Sequence, residues 1–73
     1  MYKVRILLST RLGERRWSQA KLARKTGLRP ATINEIYNEL SDRIKLDHLA
    51  RICEALDCDI PDVLKIEKLD DPK

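Results

Sequence analysis

The segment that decides the fold is Ser18–Asn38, with the sequence SQAKLARKTGLRPATINEIYN. Its apolar residues recur at three- and four-residue steps on both sides of Gly27, a pattern typical of two short amphipathic helices. Ser18 is a favoured N-cap, and Gly27 stands where a helix that ends in a left-handed residue prefers glycine. Pro30 suits the first position of a helix, because its missing N–H would have no partner there. The segment is therefore predicted to form two helices joined by a tight turn.

The two helices, near residues 19–26 and 30–38, have apolar faces that can pack on each other. Ala23 is small enough for a close crossing of the helices, and Leu28 can fill the turn between them. The apolar residues expected at the contact are Leu22, Ala23, Leu28, Ile33 and Ile36. Such a unit leaves one face of its second helix uncovered, and that face can enter the major groove of DNA.

Outside this segment, helical spacing of apolar residues predicts three more helices. They are expected near residues 4–15, near 46–56 and, after Pro61, near 61–64. The prediction is an all-α fold, a compact five-helix bundle with a central helix-turn-helix. Residues 1–66 would form this single domain and residues 67–73 a short flexible tail. Alternation at Tyr2–Ile6 and Lys65–Leu69 leaves open that the chain ends pair as two short strands.

Charge is distributed unevenly along the chain. Residues 1–45 carry 11 Lys and Arg against four Asp and Glu, whereas residues 46–73 carry four against eight. The formal net charge is +3. A basic N-terminal half indicates a surface that faces a polyanion, for which phosphate is the obvious candidate. A solvated surface of mixed charge accounts for the composition equally well.

Several other classes of protein are disfavoured. No apolar run approaches the ~20 residues that cross a bilayer, and Ile6–Leu8 is too short for a signal peptide. The chain is therefore expected in the cytoplasm, away from membranes, with Cys53 and Cys58 as reduced thiols. These cysteines and the lone His48 cannot complete a structural zinc site. We predict no metal, no cofactor and no enzyme activity, because a phosphate-binding glycine loop and a nucleophile–base pattern are both missing.

The pattern Ser-Gln-x-x-Leu-Ala-x-x-Thr-Gly-Leu-x-x-x-Thr-Ile-x-x-Ile-x-Asn resembles the Cro/C1-type helix-turn-helix domain of phage and bacterial repressors. The segments Leu49–Leu56 and Ile60–Leu64 resemble the fourth and fifth helices of that family. The resemblance covers roughly residues 4–66. It implies a repressor-type bundle that binds double-stranded DNA in a sequence-specific manner and regulates transcription, with a repressor as the expected role. Residues 30–38 would be the recognition helix in the major groove.

The resemblance also implies which side chains of this helix read bases. Asn34 can form two hydrogen bonds with adenine, Glu35 can accept one from N4 of cytosine, and Ala31 can contact a thymine methyl group. Arg29 can reach a guanine or a phosphate. The expected base-reading residues are Arg29, Pro30, Ala31, Thr32, Asn34 and Glu35.

Phosphate contacts are expected around the recognition helix. Gln19 resembles the family glutamine that binds phosphate and braces that helix, and Asn38 and Arg43 match positions that meet the DNA backbone. The expected phosphate-binding residues are Gln19, Lys21, Asn38, Arg43, Lys45, Arg11 and Arg15. Alternatively, Gln19 is only a polar residue at a helix start, and Arg15 belongs to a solvated face.

The chain departs from the family pattern in three places. Pro30 stands where many relatives carry a polar base-reading side chain, and Glu35 brings a negative charge towards DNA. Glu39 replaces the glycine that often follows the helix. Glu35 can equally pair with Arg29 or Lys45 in solvent. These departures put the base preference in question.

A homodimer is expected, at least on DNA, because one domain covers few base pairs. Two half-sites would then lie about 34 Å apart. The expected interface involves the fourth and fifth helices or the tail, around Ile60, Val63, Leu64 and Ile66. The alternative function is an antitoxin-like or adaptor protein that uses the same fold to bind a protein partner, and the two roles can coexist.

Overall fold

The computed structural model describes residues 1–70, which form five α-helices and two β-strands. The helices are α1 (Leu8–Arg15), α2 (Gln19–Thr26), α3 (Pro30–Tyr37), α4 (Leu46–Leu56) and α5 (Ile60–Val63). The strands are β1 (Tyr2–Ile6) and β2 (Leu64–Lys68), which pair antiparallel. The last residues of the predicted tail, 71–73, lie outside the described part of the chain.

The prediction of an all-α fold is wrong, because the two ends of the chain form a sheet. The register pairs Val4 with Ile66 and Ile6 with Leu64. These apolar residues alternate with charged ones, which is the two-residue period of a strand rather than that of a helix. Helix α1 accordingly begins at Leu8, four residues later than predicted from Val4. The strand pairing that the alternation left open is the arrangement found, and β2 continues two residues past the predicted domain end at 66.

The helix-turn-helix is confirmed with its predicted caps. The Ser18 hydroxyl accepts a hydrogen bond from the Lys21 N–H at 3.1 Å, which starts α2. Gly27 ends this helix with a φ of 74°, and its N–H donates to the Ala23 carbonyl at 2.9 Å. Arg29 is extended, as the residue before a proline should be, and Pro30 opens α3. These local features set the angle between α2 and α3.

The core lies between the helices, and one end of the sheet packs against it. Its buried apolar residues are Leu8, Leu12, Leu22, Ala23, Leu28, Ile33, Ile36, Leu49, Ile52, Leu56 and Val63. All five residues predicted at the contact between α2 and α3 belong to it. Ile6 and Leu64, at the base of the sheet, pack against the same core. Within residues 1–70, no helix is both long and apolar enough to span a membrane.

Within residues 1–70, left-handed residues other than glycine follow three helices: Arg16 after α1, Glu39 after the Asn38 C-cap of α3, and Asp57 after α4, with φ between 51° and 57°. After α4, the Asp57 N–H donates to the Glu54 carbonyl and the Cys58 N–H to that of Cys53. This pair of bonds is the Schellman motif, which uses carbonyls that the helix end leaves free. It brings the free cysteines Cys53 and Cys58 to the positions that make the side-chain contact of the motif.

Candidate nucleic-acid interface

One face of α3 is buried and the other is open to solvent. Ile33 and Ile36 are buried in the core. The predicted reading residues Arg29, Pro30, Ala31, Asn34 and Glu35 are all exposed, and Thr32 is half-buried. Because the buried residues recur at a three-residue step, the exposed ones form one continuous strip. The structure therefore places these side chains together on the uncovered side of the helix.

A hydrogen bond joins this strip to the start of α2. The Asn34 Nδ2 donates to the Gln19 Oε1 at 3.3 Å. One Nδ2 hydrogen and the Oδ1 of Asn34 stay available, and these are the two groups that pair with adenine N7 and N6. The Gln19 amide nitrogen keeps its donors for a phosphate. The hydrogen bond thus orients Asn34 and leaves its second Nδ2 hydrogen and its Oδ1 available to a base.

An open groove of about 830 Å³ runs between α3 and the start of α4. Thr32 and Glu35 line one wall, and Arg43, Lys45 and His48 line the other. Lys45 is the N-cap of α4 but makes no side-chain capping bond, so the first N–H groups of this 11-residue helix lack a side-chain acceptor. A helix start of this kind beside two cations suits a phosphate.

The family described as Cro/C1-type HTH DNA-binding domain matches residues 8–68. The chain belongs to the Cro/C1-type helix-turn-helix family. The match includes every helix and β2, and it begins after β1. No curated protein and no solved structure matches the chain. Membership makes the protein a DNA-binding regulator, whose helix-turn-helix carries the exposed strip of α3.

In this Cro/C1-type domain, Arg15 and Arg11 are engaged in contacts within the chain. The Arg15 Nη2 donates to the Leu56 carbonyl at 2.9 Å, at the C-terminal end of α4. Lys45 stands at the other end of that helix, about 16 Å away at 1.5 Å per residue. The Arg11 Nη1 is paired with the Glu14 Oε1 at 3.0 Å. The structure does not bring Arg15 together with the cations of the groove.

The remaining predicted residues differ in how free their side chains are. The Lys21 ammonium lies 4.6 Å from the centre of the Trp17 ring, a cation–π contact. The Asn38 Nδ2 donates to the Asn34 carbonyl at 3.1 Å and stays exposed. Within residues 1–70, Glu35 is exposed and forms no ion pair with Arg29 or Lys45. Its negative charge is therefore unneutralised on the strip.

One residue of the groove, and one that supports the recognition helix from outside the interface, were not found from the sequence. His48 lines the groove because it lies one helical turn after Lys45, a spacing visible in the sequence. Arg5 has no such local signal, since its partner Glu39 is 34 residues away. The Arg5 Nε and Nη2 donate to the two Glu39 oxygens, each at 3.0 Å, and the Ile6 N–H donates to Glu39 Oε1 at 2.9 Å. These hydrogen bonds tie β1 to the residue that follows the recognition helix.

The hydrogen bonds from Arg5, and then that from the Ile6 N–H, lower the pKa of Glu39. A carboxyl whose pKa is lower in the folded state contributes stability above its unfolded value of about 4.3, and the contribution is lost as the pH falls through the folded value. We expect Glu39→Gln to lower the melting temperature at pH 7 and to lower it much less at about pH 3.

Thermal denaturation followed by circular dichroism checks this expectation at both pH values. The matched control is Glu54→Gln, an exposed carboxylate on α4 that makes no ion pair within residues 1–70. It should change the melting temperature little at either pH. If Glu39→Gln lowers the melting temperature by the same amount at both pH values, the ion pair does not stabilise the fold.

Proposed function

We propose that this Cro/C1-type protein is a sequence-specific regulator that binds double-stranded DNA and represses transcription, with residues 30–38 in the major groove. The observation that carries the proposal is the hydrogen bond from Asn34 to Gln19 on the exposed strip of α3. It leaves one Nδ2 hydrogen and the Oδ1 of Asn34 available to pair with an adenine, beside a second amide whose nitrogen is available to a phosphate.

The strip supplies the base contacts in this proposal. Asn34 pairs with adenine, Ala31 packs on a thymine methyl group, and Glu35 accepts from N4 of cytosine. Because Glu35 has no ion-pair partner on the strip, it penalises a base that presents no donor to it. The proposed base-reading residues remain Arg29, Pro30, Ala31, Thr32, Asn34 and Glu35.

Phosphate contacts position the helix. Gln19 lies beside Asn34, and Asn38 lies at the C-terminal end of the strip. Arg43 and Lys45 lie across the groove beside the open start of α4. Lys21 is a lesser candidate, because its ammonium already contacts the Trp17 ring. Arg11 and Arg15 are proposed to hold the fold together, since both are engaged within the chain.

The protein acts without catalysis in this proposal, in the cytoplasm and as a homodimer on DNA. Two copies are required because a single recognition helix contacts only about four base pairs. Occupation of an operator by the dimer then blocks access of other proteins to the same DNA.

Selection from random duplexes tests the proposed function, with Asn34→Ala run beside the wild-type protein. We expect the wild-type protein to enrich a two-fold symmetric motif that contains an adenine in each half-site. Asn34→Ala should relax the preference at that base and weaken binding about 5- to 150-fold per half-site, the worth of one bidentate contact. The matched control is Asn38→Ala, which removes the same side chain one turn later.

Asn38→Ala should weaken binding to all sequences alike and leave the motif unchanged, because contacts to phosphate carry no sequence information. Absence of any enriched motif from the folded wild-type protein would refute sequence-specific binding. Equal relaxation of the motif by both variants would remove Asn34 from the role of reader.

A further inference from the structure

Two partly exposed cysteines meet where α4 ends. Cys53 lies in the last turn of α4 and Cys58 follows the helix, and both are free thiols. Both pack against the core, yet both keep part of their surface open to solvent. Neither belongs to the proposed DNA interface, since Cys53 lies eight residues, or about 12 Å of helix, beyond Lys45. A small reagent can therefore reach this pair without contacting the recognition helix.

The backbone at the end of α4 holds the two cysteines close together. The Cys58 N–H donates to the Cys53 carbonyl oxygen, with 3.0 Å between nitrogen and oxygen. A carbonyl oxygen lies about 2.4 Å from its own Cα, and an amide nitrogen about 1.5 Å from its own, so the two Cα atoms are at most about 6.9 Å apart. Disulfide bonds usually join residues whose Cα atoms are about 4.4–6.8 Å apart. The separation of Cys53 and Cys58 is thus short enough for such a bond.

The Schellman motif also brings the two side chains to the same side of the helix end. Its two hydrogen bonds, from Asp57 and Cys58, identify Cys53 and Cys58 as the residues whose side chains make the contact that accompanies the motif. Asp57 provides the reversal of the backbone, with a φ of 51°. Two thiols in this arrangement can form a disulfide bond without rearrangement of the backbone.

The two thiols differ in how easily they ionise. Burial raises the pKa of the Cys53 thiol, the neighbouring Cys58 thiol raises it further, and the carboxylates of Asp59 and Asp62 add to the effect. The thiolate, and not the thiol, is the form that attacks a disulfide. Cys53 is therefore suited to the second step of an exchange reaction, and Cys58 to the first.

We propose that Cys53 and Cys58 are a redox modification site, at which exchange with a small-molecule disulfide forms a reversible bond between them. The Cys58 thiolate attacks one sulfur of the small molecule, its S–S bond breaks, and one half leaves as a thiolate. Cys53 then loses its proton to solvent and attacks the Cys58 sulfur of the mixed disulfide, which releases the second half. The two protein thiols lose two electrons, and the small-molecule disulfide gains them.

The new bond fixes the junction of α4 and α5. It closes a loop of six residues and restricts the unfolded chain, whereas the folded chain already holds the two cysteines together. Oxidation therefore stabilises the fold. In a reducing cytoplasm such a bond is transient and follows the redox state. This proposal does not rest on the proposed function, because α3 and the start of α4 lie outside the loop.

Equilibration of the wild-type protein in mixtures of reduced and oxidised glutathione tests the site, with the products weighed by mass spectrometry. We expect a monomer that is lighter by two hydrogens. Its formation should be favoured at least about tenfold more in the native protein than in concentrated urea, because only the folded backbone holds the thiols together. The oxidised protein should melt about 5–15 °C higher than the reduced protein, and dithiothreitol should reverse this shift.

A matched control moves one thiol by a single residue. The double variant with Cys53→Ser and Glu54→Cys places the thiol at an exposed position that makes no side-chain contact in the motif. Its loop is nearly as long, so the two unfolded chains should form the bond equally well. We expect the control to lack the tenfold preference for the native state. Circular dichroism verifies that it is folded.

The proposal is overturned if native wild-type protein forms the bond no more favourably than in urea, or yields only glutathione adducts and linked dimers. It is also overturned if the folded control shows the same native preference, or if oxidation lowers the melting temperature. These outcomes leave the proposed function untouched, because the reduced protein should still bind a duplex. A protein that forms the bond but binds no duplex would refute the proposed function alone.

Discussion

Raising the salt concentration from about 50 to about 200 mM is expected to weaken operator binding by the dimer roughly a thousandfold. Each copy presents Arg43, Lys45 and Arg29, of which Arg29 can reach a phosphate as well as a guanine, and this gives about six neutralised phosphates for two copies. Each neutralised phosphate releases counterions and contributes a slope of about −0.9 to the logarithm of affinity against that of salt. Fluorescence anisotropy titrations at several salt concentrations measure this slope.

Two matched substitutions test which lysine contributes to the salt dependence of DNA binding. Lys45→Gln should reduce the slope by about 2, because the dimer loses two phosphate contacts. Lys25→Gln removes the same charge from the C-terminal end of α2, where Lys25 lies beside Glu54 rather than beside the groove. It should leave the slope unchanged. A slope that is flat for the wild-type protein, or that changes equally in both variants, contradicts the proposed phosphate contacts.

Leu22→Ala is expected to destabilise the fold by about 2–5 kcal/mol, because truncation of a fully buried leucine leaves a cavity. A domain of 73 residues has a total stability of only roughly 4–11 kcal/mol. Leu22 belongs to the same buried core as Ile33 and Ile36 of the recognition helix. Its loss should therefore remove much of the stability and loosen the angle between α2 and α3.

Urea denaturation measures the free energy of unfolding of this variant. The matched control is Leu46→Ala, which makes the same truncation at a leucine that is 81% exposed. Surface substitutions of this kind change stability by less than about 0.5 kcal/mol. Equal losses in the two variants would mean that α2 does not pack on α3 through Leu22.

The helix-turn-helix was predictable because its signals are local. The Ser18 cap, Gly27 and Pro30 each constrain the backbone at their own position, and the spacing of Leu22 and Ile33 sets the face that packs. The same spacing of apolar residues predicted which side chains form the exposed strip of α3. The alternation of apolar and charged residues was also visible at both chain ends. However, the four-residue spacing of Val4 and Leu8 also fits a helix.

The sheet, the Arg5–Glu39 ion pair and the contact made by Arg15 depended on parts of the chain that are distant in sequence. The sheet needs β1 and β2 to meet across almost the whole sequence, so neither strand is defined by its own residues. The Arg5–Glu39 ion pair exists only once that sheet has formed. Arg15 belongs to a basic stretch that resembles a phosphate clamp in sequence, and only the packed structure shows its guanidinium on the Leu56 carbonyl.

The central claim is that DNA lies against the exposed strip of α3 and the start of α4. The most direct test is an amide chemical-shift titration of ¹⁵N-labelled protein with a short duplex at low salt, where nonspecific binding uses the same surface. We predict that the largest changes fall at Gln19, at residues 29–38 and at 43–48, and that residues 11–15 and β1 change little. Largest changes at the sheet or at the C-terminal end of α4, with α3 unaffected, would contradict the claim.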